Sequence, residues 1–226
     1  MTALIRMRLA GFLASGRVIA PGIALLAVLG VLYGGGASSA TSAYGYSATM
    51  LFPIMALSTK LLLDTEPDVQ RRLARITVGA GREGTAGLLA AVLAGLAISA
   101  VAMLVPWAVG AIAPGQRLAG ALLLGGTAHV LALAGAVALG ALASRAVTGS
   151  IGKGSMVLAA GTVLYIVLGL KGSIAPWLVP PVLATARALS GDAFPSPAHM
   201  ALLAVRAGAW STVTLSAYAY LRRHRA

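Results

Sequence analysis

The sequence contains no cysteine, which excludes a disulfide framework, a cysteine-ligated zinc site and a thiol nucleophile. Charge is also scarce. Only 10% of the 226 residues are charged, where a soluble domain carries roughly 25%. Acids are scarcest, five against 17 lysines and arginines, and none lies inside an apolar run. That weakens any reading as a proton- or sodium-coupled carrier, which normally needs a carboxylate within the membrane. Catalytic signatures are missing as well. There is no H-E-x-x-H, no G-x-S-x-G and no carboxylate-rich lipid-transferase motif. The nearest approach to a Walker A loop, Gly149-Ser-Ile-Gly-Lys-Gly154, has the wrong spacing, and Gly154 stands where a Ser or Thr would bind magnesium. The chain is therefore expected not to be an enzyme, with no catalytic residue and no metal site.

What is present is apolar sequence. Hydrophobic residues make up 59% of the chain, and the mean hydropathy is +0.91. Several runs approach or exceed the length needed to cross a bilayer, which places the chain among polytopic membrane proteins. Inside lipid its backbone must be helical, because an unpaired N–H or C=O there costs several kcal/mol. The fold class expected is all-α, with six transmembrane helices at residues 18–33, 46–63, 85–107, 118–142, 156–170 and 198–221. The first run follows Arg6, Arg8 and Arg17 without a clear small-x-small cleavage site, so it reads as a retained span. Ahead of it, residues 1–17 space Leu4, Ile5, Leu9, Phe12 and Leu13 near helical periodicity, predicting a helix lying in the interface. The whole chain, residues 1–226, reads as one transmembrane domain without internal repeats.

The net charge of +12 does not point to nucleic acid, because the basic residues sit at segment ends and form no continuous stripe. They are a topology signal. Twelve lie on one side: Arg6, Arg8 and Arg17; Arg71, Arg72, Arg75 and Arg82; Arg145 and Lys153; Arg222, Arg223 and Arg225. Three lie opposite, Arg117, Lys171 and Arg187. The positive-inside rule then puts both termini in the cytoplasm of a multi-pass protein of the cell's inner membrane.

Charge is concentrated in one island, residues 64–83, between an uncharged stretch at 18–59 and one at 84–144 that holds only Arg117. Thr65 suits an N-cap, Asp68 completes a variant capping box, and Pro67 is tolerated in a first turn. Glu66 and Asp68 fall at the positive end of the helix dipole and Arg75 towards the negative end, with Gly79 and Gly81 ending the helix. A short cytoplasmic helix over 66–78 is predicted. Val69, Leu73 and Ile76 recur on one face beside Arg71, Arg72 and Arg75. That ridge fits a groove on a soluble partner and fits equally an anionic lipid surface, with the arginines as headgroup anchors.

The last outer connection, residues 171–197, holds five prolines and an apolar stretch at 181–190 between Pro181 and Gly191. It predicts a short helix on, or dipping into, the outer leaflet. Among isolated polar residues, His129 reads first as hydrogen-bonded to a neighbouring helix, and Lys60 as snorkelling to the headgroups. Arg206 reads as snorkelling outward or pairing with Asp192, with a substrate contact as the other reading. Gly30-Val-Leu-Tyr-Gly34 matches a G-x-x-x-G pattern that 28 glycines produce readily by chance.

This arrangement, with Leu63-Asp-Thr-Glu-Pro-Asp-Val-Gln-Arg-Arg-Leu-Ala-Arg75 followed by Gly81-Arg-Glu83, resembles the ABC-2 type exporter permeases. The loop is similar to the first cytoplasmic loop of small permeases from high-GC actinobacteria. The resemblance implies that the 66–78 helix is a coupling helix docking on a separate ATP-binding subunit, through Glu66, Asp68, Val69, Arg71, Arg72, Leu73, Arg75 and Ile76. It implies two permease subunits, from a second copy or a paralogue, and ATP with Mg²⁺ in the partner, with no cofactor in this chain. The connection before the last span would cap the pathway. The second and fifth spans would line a cavity, with Tyr46, Met50, Ile54 and Leu57 on one helical face, Tyr165 opposite, and Arg206 as a further candidate. Short outer loops depart from members with a large extracellular domain and favour a small amphiphilic, drug-like or peptide-like substrate over a polymer. For each pathway residue, ordinary helix packing is the competing reading. Three other readings remain: an energy-coupling-factor-type importer subunit, a membrane enzyme, and a non-catalytic immunity or interaction protein.

Overall fold

The computed structural model describes residues 1–113, 117–191 and 193–224, which fold entirely as helices and their connections. The helices are α1 (Thr2–Ala14), α2 (Ile19–Tyr33), α3 (Ala40–Leu63), α4 (Asp68–Val78), α5 (Ala80–Ala108), α6 (Leu118–Leu142), α7 (Arg145–Thr148), α8 (Ile151–Gly169), α9 (Val182–Leu189) and α10 (Pro197–His224), with one 3₁₀ turn at Pro176–Leu178. Among the described residues there is no strand, only one isolated bridge between Ser38 and Ile112.

Five helices are long and apolar enough to cross a membrane: α3, α5, α6 continuing through α7, α8 and α10. The expected crossing at 18–33 differs. α2 has 15 residues, about 22 Å at 1.5 Å per residue against a hydrocarbon core of about 30 Å. It reaches spanning length only together with α1, and the two are bent by 75°. The turn between them is made at Gly16, whose φ of +69° favours glycine.

Other boundaries differ for local reasons. α3 starts at Ala40, six residues ahead of expectation, because Ser39 Oγ accepts the Ser42 N–H at 3.3 Å and caps it. α8 starts at Ile151 rather than 156, where Ser150 Oγ accepts the Lys153 N–H at 3.2 Å. In both cases small polar residues that resemble a loop by composition act as caps. Gly79, at φ +87°, is the break between α4 and α5, while Gly81, expected to help end α4, lies inside α5.

α3 and α6 form the spine. Lipid offers no hydrophobic gain for packing two helices, so close backbone approach must supply dispersion contact. α6 permits this through small residues: Ala121, Gly125, Ala128, Ala132, Ala136 and Gly140 are all buried. Gly125 lies under the Tyr44 ring, and a Cβ at Gly140 would strike the Ala56 carbonyl oxygen of α3. Pro53 removes an N–H from the middle of α3 and so frees the Thr49 carbonyl; the Tyr165 hydroxyl of α8 donates to it at 3.3 Å.

The connection from α8 to α10 enters the bundle. Pro180 packs against Gly135 and Phe52, near the middle of α3, and α9 then runs back outward with Val182, Thr185 and Leu189 buried. Non-helical backbone at that depth must be satisfied by protein. Two α10 side chains do this: Arg206 Nη2 donates to the Pro176 carbonyl at 3.2 Å, and Trp210 Nε1 to that of Leu178 at 2.8 Å. Arg206 thus has a backbone partner on the re-entrant segment; a pairing with Asp192 falls outside the described residues.

Candidate docking face and its charged anchor

The charged island folds into two functional parts, an inward ionic cluster and an outward apolar ridge. The cluster centres on Glu83, in the first turn of α5 and 1% exposed. Its carboxylate accepts from Arg8 of α1 and from Arg222 of α10, and Arg75 of α4 stands 3.5 Å away. Arg8 also pairs with Glu66 at 2.8 Å. Two glycines one turn apart on α5 make room for the guanidiniums: a Cβ at Gly84 would occupy the place of Arg222 Nη1, and one at Gly87 that of Arg8 Nη1.

Asp64, closing α3, is the second centre. Its carboxylate takes Lys60 Nζ at 2.8 Å and the backbone N–H of Arg145 at 2.6 Å, while its carbonyl accepts from Arg17 at 2.5 Å. Lys60 is therefore buried and paired, not snorkelling, because an acid one turn along the chain, Asp64, takes its ammonium. Arg145 further reaches the Glu66 carbonyl at 3.1 Å and the Asp68 carboxylate at 3.3 Å. Four carboxylates, Asp64, Glu66, Asp68 and Glu83, thus gather cations from α1, α3, α4, α7 and α10. Buried ion pairs contribute little net stability, yet removing one partner leaves an unpaired charge. Arg8 Nε, Arg71 Nη1, Arg75 Nε and Arg145 Nε are buried without a hydrogen-bond partner, against one such acceptor, Glu66 Oε1, so among the described residues unpartnered donors outnumber unpartnered acceptors here.

α4 is bound to this cluster by its charged side. Asp68 pairs with Arg71 and Arg145, and Arg75 faces Glu83. Its apolar ridge turns outward: Val69 is 68%, Leu73 58% and Ile76 81% exposed, and no α4 residue is buried. This inverts the usual surface helix, which buries its apolar stripe. The expected N-terminus is also shifted. Thr65 does not cap α4; its hydroxyl donates to the Leu61 carbonyl at 2.8 Å, and the helix starts at Asp68 after Pro67. A residue preceding proline is biased away from helical geometry, which keeps Glu66 outside. Of the eight residues predicted to dock, Val69, Leu73 and Ile76 face out with Arg72, whereas Glu66, Asp68, Arg71 and Arg75 are engaged in the anchor.

The predicted pathway residues do not converge. Tyr46 and Met50 lie on the open face of α3, 51% and 49% exposed, with Leu57 half-buried and Ile54 buried on the same helix. Tyr165 is buried against Phe52, ring centroids 4.3 Å apart, and serves the Thr49 carbonyl. Arg206 serves the re-entrant segment. His129 is buried, with Nδ1 2.8 Å from the Gly125 carbonyl and Nε2 3.2 Å from Ser47 Oγ of α3, the interhelical bonding its lone position predicts. Sequence reasoning did not anticipate Arg8, Glu83, Arg145, Trp210 or Arg222 as partners. The available signal for Glu83 was a single acid opening a long apolar run, followed by glycines at 84 and 87.

Among the described residues no group of His, Cys, Asp and Glu could hold a metal ion. Comparison with protein-family models, with curated proteins and with solved structures finds no match for this chain.

Proposed function

We propose that this chain is the membrane subunit of an ABC-2 type exporter, and that α4 is the helix through which a separate ATP-binding subunit acts on the bundle. The observation that carries the reading is the outward ridge of Val69, Leu73 and Ile76 on a helix whose charged side is tied into α5 and α7. A groove on a partner covers such a ridge, and the ion pairs beneath it carry a push on α4 to the spanning helices. In this reading α1 and α2 together make the sixth crossing, both termini are in the cytoplasm of the inner membrane, and the arginine-rich end faces inward. Two permease chains, from a second copy or a paralogue, enclose the pathway. The exposed Tyr46 and Met50 on otherwise buried α3 supply adaptable contacts for a small amphiphilic substrate. ATP and Mg²⁺ belong to the partner.

The test is co-purification in detergent with the ATPase encoded beside this chain. Wild type should retain the ATPase. Leu73→Asp with Ile76→Asp should lose it while the membrane subunit keeps its melting temperature, because neither side chain packs on the bundle. Failure of wild type to hold any neighbouring ATPase, or full retention by the double variant, overturns the proposal.

A further inference from the structure

Beyond docking, a second site lies at the same end of the bundle but on another face. α10 packs on α6, α7 and α9, and α5 packs on α3 and α6, leaving a gap between α5 and α10. The gap is a cavity of about 560 Å³. Its deeper walls are apolar, with Leu88 on α5 and Leu215 and Ala219 on α10. Its mouth carries the guanidiniums of Arg75, Arg222 and Arg223. From Gly81 at the mouth to Leu88 is roughly 10 Å along α5, at 1.5 Å per residue. The site is therefore amphiphilic along its length, cationic at the end of the spans and apolar towards their middle.

The charge at the mouth is not balanced. Glu83 is the carboxylate nearest these arginines, and Arg8, Arg75 and Arg222 already converge on it. Arg75 Nε is buried without a hydrogen-bond partner, and Arg223 forms no ion pair among the described residues. The first turn of α5 also opens here: Gly79 precedes it, no side chain caps it, and Ala80 and Gly81 line the cavity. Free N–H groups at a helix start favour an anion and reinforce the guanidinium surplus.

We infer that this cavity binds one acidic phospholipid, its phosphate held between Arg75, Arg222 and Arg223 and one acyl chain lying along Leu88, Leu215 and Ala219. A phosphate offers the acceptors that the surplus donors lack, and guanidinium pairs with it in bidentate geometry. The apolar walls favour a lipid over a free anion, because a free anion would leave them against water within the depth of the spans. The bound lipid links α5 to α10, which otherwise meet at this end through the Glu83–Arg222 pair. This site does not depend on the ridge of α4 or on the identity of any soluble partner.

The experiment is native mass spectrometry of the purified full chain taken from micelles doped with phosphatidylglycerol or phosphatidylcholine, alongside its melting temperature in each. Wild type should retain one phosphatidylglycerol in preference to phosphatidylcholine and melt higher with it. Arg223→Ala should weaken retention roughly five-fold, the effect of one basic residue near an anionic surface. Ala219→Trp, which fills the groove and replaces no ion-pairing residue, should abolish it. Arg82→Ala, an exposed arginine outside the cavity, should retain lipid as wild type does. Equal retention of both lipids by wild type, unchanged retention in Ala219→Trp, or a loss in Arg82→Ala matching that in Arg223→Ala would each overturn the inference. So would displacement of the lipid by millimolar inorganic phosphate, which would identify a site for a free anion.

Discussion

Glu83 shows how much one side chain organises. It is an acid at the edge of a long apolar helix, a position where charge is tolerated only with partners. Its partners come from far away in sequence, Arg8 at a separation of 75 residues and Arg222 at 139. No spacing rule reaches that distance, so the sequence marks Glu83 as charged but not as a hub. The same holds for Arg206 and Trp210, whose acceptors are carbonyls that only the re-entrant backbone brings near. Replacing Glu83 with Gln keeps its volume and removes its charge, leaving Arg8 and Arg222 buried against a neutral amide. The expected loss is about 3–5 kcal/mol, the usual cost of breaking a buried pair from one side. Unfolding in detergent by denaturant measures it, and Glu83→Asp, which keeps the charge on a shorter stem, should fall between Gln and wild type.

At the level of the element, the sequence speaks clearly where periodicity and length suffice. α6 matches expectation at both ends, and α9 lies between its proline and glycine as predicted. α4 exists, but which of its faces turns inward was not legible, because an apolar ridge and an arginine stripe on one short helix are compatible with either orientation. The inward charges are explained by where their counter-charges wait: Glu83 of α5 faces Arg75, and Arg145 of α7 faces Asp68. Small residues were legible as composition but not as contacts. Gly140 is the sharpest case, since the atom opposing it is backbone and cannot rotate away. Gly140→Val should therefore cost about 1–3 kcal/mol or more by overpacking the α3–α6 seam. Gly22→Ala, with open space around it, should be neutral or slightly stabilising. Paired melting curves of the two variants separate a packing effect from a general intolerance of α-helical glycine replacement.

For the whole molecule, hydropathy and charge asymmetry were enough to reach an all-helical protein with helices of spanning length. Five of the six expected crossings are helices of spanning length, and the remaining apolar run reaches that length only together with α1, bent at Gly16, because hydropathy does not fix the angle of a run. They also missed how far the connection before α10 enters the bundle. Five prolines and apolar residues are compatible with a surface helix, and only the satisfied carbonyls of Pro176 and Leu178 explain why the backbone sits deeper. The candidate site divides along the same line. Its apolar ridge followed from periodicity, though not the direction in which the ridge faces, whereas its anchor depended on α1 and α10 meeting at α5.

That meeting has a temporal side. Translation delivers Glu83 first and Arg222 139 residues later, a delay of roughly 7–28 s at about 5–20 residues per second. Throughout that interval the cations available to Glu83 are Arg8 and Arg75, both already synthesised. Arg8→Ala and Arg222→Ala each remove one cation from Glu83 in the finished protein, but only the former leaves the nascent carboxylate with the more distant Arg75 alone. Pulse-labelling should accordingly find far less inserted Arg8→Ala protein than Arg222→Ala protein, with the survivors of each melting at similar temperatures.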